Sequence, residues 1–236
     1  MRTLPRSEYA FRVGRVTRRS SGRAVEANAR LTAGTAAVLL VLLAAEGVTI
    51  LSIWPLLGLH VAIGLLLVPP VMLKIASTSW RFARYYLGDA GFQAKGPPAP
   101  ALRLLGPFIV MLTAVLFATG VALLFFPNGL GGWLLELHKA SFVLWFCAMV
   151  VHVLGHVVET GRLAPRDWRP WAYRRVPGGR ARIGLIVASL VVGIVLAVAL
   201  TGRVGNFRRA YLAHIHARTP AAHAAASIHH GSLHQP

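Results

Sequence analysis

The chain is poor in cysteine, in acid and in charge of any kind. Its one cysteine, Cys147, sits inside an apolar run, which excludes a disulfide framework, a Cys-x-x-Cys-His attachment for covalent haem and a cysteine set for an iron–sulfur cluster. Seven Asp and Glu stand against 25 Lys and Arg, a formal charge of +18 that in a soluble chain would point to nucleic acid. Yet charged residues make up only 14% of the chain beside 56% hydrophobic ones, and the mean hydropathy is +0.59, too apolar for an ordinary soluble domain. No dinucleotide fingerprint and no flavin domain can be picked out, so a net redox reaction would need a partner.

Long apolar runs are what the sequence has instead. A hydrocarbon core of about 30 Å needs about 20 helical residues. Five stretches meet or approach that length: 31–53, 56–76, 104–126, 134–158 and 183–200. Turn or helix-breaking clusters set them apart, at Trp54-Pro55, from Lys95 to Pro100, and at Pro127-Asn128-Gly129. The expected fold is an all-α membrane protein, with a transmembrane bundle over 31–200 between a basic arm (1–30) and a His-rich tail (201–236). Both ends lack a sustained apolar face and are expected to be disordered. Lys and Arg number eight in residues 1–30, five from Lys74 to Arg103 and seven from Arg162 to Arg182, 20 of the 25. In a five-span topology these segments share one side, so the positive-inside rule puts the N-terminus in the cytoplasm and the C-terminus outside, in a multi-pass protein of the cell membrane. This asymmetry accounts for the charge with the lipid bilayer as partner and no nucleic acid. Arg18-Arg19 before an apolar run has the form of a twin-arginine export signal, but the run is long enough to span and another follows at once, which favours a plain cytosolic arm.

Ten histidines divide into six in the tail (His214, His216, His223, His229, His230, His234) and four in the spans, His60, His138, His152 and His156. An imidazole in hydrocarbon loses its water, so a buried group of four calls for a common explanation. His138 and His152 are 14 residues apart on the fourth span, which returns to within about 40° of one face and about 21 Å along the axis. His156 falls on the same stripe, with Trp145 and Met149 between the levels. His60, four residues into the second span, is level with His138, near the start of the fourth. Two histidines at equal depth on helices running the same way can hold one haem iron from opposite sides, and with both axial positions filled the cofactor relays electrons rather than activating oxygen. Gly58, Gly64 and Gly120 are candidates for close backbone approach to a flat macrocycle. His152 and His156 cannot grip opposite faces of one iron, because side chains four apart project from the same side. A second haem on His152 would need a ligand from elsewhere; the first span has no histidine and the position 14 after His60 is Lys74. Met72 and Met111 are weaker candidates, and Lys74 suits a haem propionate or lipid phosphate better than iron.

With His60, His138 and His152 in place, the pattern over residues 31 to about 160 resembles the membrane cytochrome b subunits of the formate-dehydrogenase-gamma, nickel-hydrogenase and cytochrome b561 type. In that family a histidine early in the second helix pairs with the first of two histidines 14 apart in the fourth. The resemblance implies a four-helix haem-binding core plus one peripheral helix, haem b on His60 and His138, and a subunit that passes electrons between quinone and a catalytic or iron–sulfur partner rather than a complete enzyme. Family members usually bring an inner-haem ligand from the first helix, and here the sequence departs.

Other residues bear on the same question. Glu46 is an intramembrane carboxylate placed to accept a quinol proton or to pair with a histidine. Glu159 follows His156 by three positions, within reach of it or simply solvated at a helix end. Trp80 to Tyr86 mixes aromatics with arginines in the manner of an interfacial helix, better suited to anchoring than to docking a redox partner. The tail histidines suit a transition metal by ligand type, though not by spacing. Two rival functions remain at this stage: a haem subunit of a ferric- or sulfoxide-reductase-like system, and a non-haem transporter or metal-ion handler using His60 and His138. Transport would call for discontinuous helices, for which Pro69-Pro70 is the sole hint.

Overall fold

A computed structural model describes residues 6–94, 96, 100–126, 132–163 and 178–213, with side chains described within 22–94, 96, 104–126, 132–154 and 178–213. Among the described residues every regular element is helical: α1 (Arg6–Leu51), α2 (Ile53–Tyr86), α3 (Ala90–Ala94), α4 (Pro100–Phe125), α5 (Trp133–Leu163) and α6 (Gly179–Thr201), followed by a terminal helix over 204–213. Five of these are long and apolar enough to cross a membrane, over Gly22–Leu51, Ile53–Tyr86, Leu104–Phe125, Trp133–Leu154 and Gly179–Thr201. The chain is a multi-pass membrane protein.

The expected spans are present, but several helices overrun them. The turn between α1 and α2 falls at Ser52, so Trp54 and Pro55 open α2 instead of separating it from α1. Proline is tolerated in a first turn because its missing N–H would have had no partner there. α2 continues past Lys74 for three more turns, taking in Trp80 to Tyr86; at 34 residues it is about 51 Å long, far more than a bilayer core requires. Lys74 marks the edge of the apolar run, and no glycine or proline follows until Gly88. Residues 6–30, expected as a disordered arm, continue α1, since extending an existing helix skips the costly nucleation step. At the other end, residues 204–213 of the tail are helical and docked: the Trp54 and Tyr211 rings lie 4.7 Å apart and the Arg203 guanidinium sits 4.3 Å from the Phe125 ring centre. Phe207 and Tyr211, four apart, supply an apolar face too short to stand out in the sequence. The six tail histidines lie outside the described residues.

The spans form two pairs. α1 packs on α2 and α4 on α5, with α1 also touching α5, while α2 and α4 barely meet. α6 packs extensively against α2 and to a lesser extent against α1. Its seat on α2 explains Pro69-Pro70. Pro70 has no N–H to give the Leu66 carbonyl, and α6 brings Gly193 against that freed oxygen: a Cβ at Gly193 would lie 2.5 Å from it. Helix α2 runs through both prolines unbroken.

Each pair is fastened at two heights by polar side chains. Between α1 and α2, Lys74 Nζ donates to the Thr32 carbonyl at 3.0 Å and the Thr32 and Ser77 hydroxyls meet at 3.0 Å, while Thr49 meets His60 further along. Between α4 and α5, Trp145 Nε1 donates to Thr113 Oγ1 at 2.8 Å and Thr119 meets His138. In hydrocarbon such bonds contribute on the order of 0.6–2 kcal/mol each. One tie in each pair therefore holds a histidine.

Candidate functional site

Between the two pairs lies a cavity of about 1240 Å³, larger than the ~300–1,000 Å³ of most small-molecule sites. Residues of α1, α2, α4 and α5 line it, with Phe207 and Tyr211 of the terminal helix added at one end, and none of α6. The walls are mainly aliphatic and aromatic. Glu46 is the only acidic residue among the described lining, against Lys74, Arg81 and Lys139. His60, His138, His152, Glu46 and Lys74 all face this one space, so the structure gathers five of the six singled-out site residues. The side chain of His156, like that of Glu159, lies outside the described residues. Met72 and Met111 line no part of the cavity and are 59% and 54% exposed on the outer surface, which removes both as ligands to anything bound within. A helix in lipid can turn an unbranched thioether outward at no cost.

The hydrogen bonds around the two outer histidines assign the role of each Nδ1. Thr49 Oγ1 donates to the Glu46 carbonyl at 2.6 Å, which commits its only proton. Its oxygen, 3.1 Å from His60 Nδ1, is therefore an acceptor, and so is the Glu46 carboxylate, whose Oε1 is 3.0 Å from the same nitrogen. With acceptors around it, Nδ1 of His60 is the donor in both contacts. His138 repeats the arrangement. Thr119 Oγ1 lies 2.8 Å from the Val115 carbonyl and 3.0 Å from that of Leu116, the usual back-bonding of threonine in a helix. Its oxygen then accepts from His138 Nδ1 at 2.9 Å.

One glycine makes room for these side chains and another lies only in ordinary contact range of them. A Cβ at Gly120 would lie 3.1 Å from His138 Cε1, so its absence makes room for the imidazole. A Cβ at Gly64 would lie 3.5 Å from Glu46 Oε1. Gly58 faces open space and does not line the cavity, so it has no part in the close approach expected of it.

Further from His60 and His138, His152, Lys74, Asn28, Thr32, Arg81 and Tyr85 line the same cavity, and among the described residues no further histidine lines it there. Among the described residues no group of three His, Cys, Asp or Glu forms a metal-ion cluster.

The sequence pointed to His60, His138, His152, Glu46 and Lys74 but not to Thr49 or Thr119. Their signal was present, since each threonine sits one helix away from a span histidine, but which face α1 and α4 would turn inward was not legible from periodicity. Comparison with protein-family models, curated proteins and solved structures returns no match for the chain.

Proposed function

We propose that the chain is a b-type cytochrome membrane subunit that relays single electrons through haem held by His60 and His138, between quinone in the bilayer and a partner redox subunit. The observation that supports this reading is a pair of histidines from two different helices, each with Nδ1 on a threonine hydroxyl and each lining one cavity, so that Nε2 is the nitrogen available to a metal. Metal-binding histidines characteristically donate their other ring N–H in this way, which fixes the ring and raises its basicity. The surroundings fit a porphyrin in size and in their apolar lining, with Lys139, Lys74 and Arg81 as cations for its propionates. Bound there, haem b supplies a one-electron iron couple with no open coordination position. The chain's own residues hold and orient it, exclude water and tune it.

His152 is the candidate for a second haem at the inner level, with Lys74 opposite in sequence register rather than a histidine. Orientation follows the charge asymmetry, with the N-terminus cytoplasmic and the C-terminus exoplasmic, in the cell membrane. The metal-ion and transport alternatives are less well supported: no three-ligand cluster occurs among the described residues, and α2 is not interrupted at its prolines.

The test is haem content. Pyridine-haemochrome assay of purified protein should give one or two haems per chain, and His60→Ala or His138→Ala should each remove the outer one while His156→Ala retains it. Equal loss from all three would contradict the assignment, and a colourless wild-type protein that binds zinc at His60 would favour the metal-ion alternative.

A further inference from the structure

The two outer histidines are held alike except in one respect. Thr49 does for His60 what Thr119 does for His138: a hydroxyl already committed to its own helix accepts the Nδ1 proton and fixes the ring. That is sufficient for positioning. On the α1 side, however, a carboxylate has been added, with Glu46 Oε1 3.0 Å from His60 Nδ1. Glu46 is only 14% exposed, it is the one acid among the described cavity lining, and its Oε2 is buried without a hydrogen-bond partner among the described residues. A carboxylate kept so poorly solvated is costly, and redundancy with Thr49 means that it is not needed to orient the ring. What it adds is charge.

Resting on the haem reading above, the geometry points to Glu46 as the residue that makes the two axial imidazoles unequal and lowers the reduction potential of the outer haem. An ionised carboxyl at this 3.0 Å contact draws the shared proton and pushes electron density toward Nε2, giving His60 imidazolate character that the neutral Thr119 cannot give His138. The ferric state carries one more positive charge than the ferrous state, so it gains more from a stronger donor and a nearby anion, and apolar walls screen that anion little. Glu46 is a tuning residue that acts through His60.

Potentiometric titration of the purified full chain tests this. Glu46→Gln keeps the shape and an acceptor oxygen but removes the charge; it should retain haem and raise the ferrous-to-ferric ratio about tenfold or more at a fixed potential, equivalent to 59 mV for one electron. The low-spin ferric EPR signal should move with it, and Glu46→Asp should restore both. Retained haem with an unchanged potential and EPR signal overturns the inference and leaves the haem reading standing; a wild-type protein without haem overturns both. If Glu46→Gln fails to accumulate, Thr49→Val decides. With the carboxylate as sole acceptor its potential should stay level or fall, and a rise would assign the tuning to the hydroxyl instead.

Discussion

The two levels of the cavity are built from the same four helices and yet are furnished differently. At one level His60 and His138 both line the cavity, each with Nδ1 on a threonine hydroxyl. At the other, His152 has Lys74 in the register position where His138 has His60, and Lys74 Nζ is turned to the Thr32 carbonyl of α1. The same 14-residue step along α2 and α5 thus gives a matched pair at one height and a histidine beside a cation at the other. A repeat of position is not a repeat of chemistry.

That comparison can be broken most severely at the outer ligands. His60→Ala or His138→Ala should abolish the outer haem's absorbance altogether, whereas His152→Ala should leave that absorbance in place; equal sensitivity at both heights would erase the distinction. Next in size is the support. Thr119→Val keeps shape but removes the acceptor for His138 Nδ1, and haem affinity should fall about 10–100-fold, measured by haem transfer to an apo-acceptor, with Thr119→Ser close to wild type. Weaker again is the outer packing. Gly193→Leu drives a side chain into the Leu66 carbonyl and should lower stability in detergent by about 1–3 kcal/mol, read as an earlier thermal transition. Because α6 lines no part of the cavity, haem content per folded chain should not change. Smallest of all, Trp145→Phe removes the Nε1 bond to Thr113 between the two levels, and a loss of about 1 kcal/mol or less is expected without a spectral change.

The sequence made some of this legible and hid the rest for definable reasons. Spans are readable because lipid demands continuous apolar helix, so all five expected stretches fall on the five candidate spans, although the first begins nine residues before its expected start and the second ends ten after its expected end. Helix ends were not, because a helix does not stop where hydrophobicity stops: α2 continues through Arg81 and Arg84 to Tyr86, and α1 begins at Arg6. His60 and His138 stood out as ionisable groups in hydrocarbon, and the structure brings both to one cavity. Glu46 was visible by the same logic, with pairing to a histidine among its expected roles, and it does sit on His60. Thr49, Thr119 and the service of Gly120 to His138 were hidden, because they depend on the rotation of α1 and α4 about their axes. For helices apolar on every side, no hydrophobic stripe records that rotation. Met72 and Met111 failed as candidates for the same reason: their depth was readable and their facing was not.

Central to the account is an iron coordinated at Nε2 of both His60 and His138. The most direct measurement is the dithionite-reduced minus oxidised visible spectrum of the purified chain. A sharp low-spin b-type α band, lost in either alanine variant at those two positions, is the result expected; a featureless difference spectrum from folded, haem-supplied protein would contradict it.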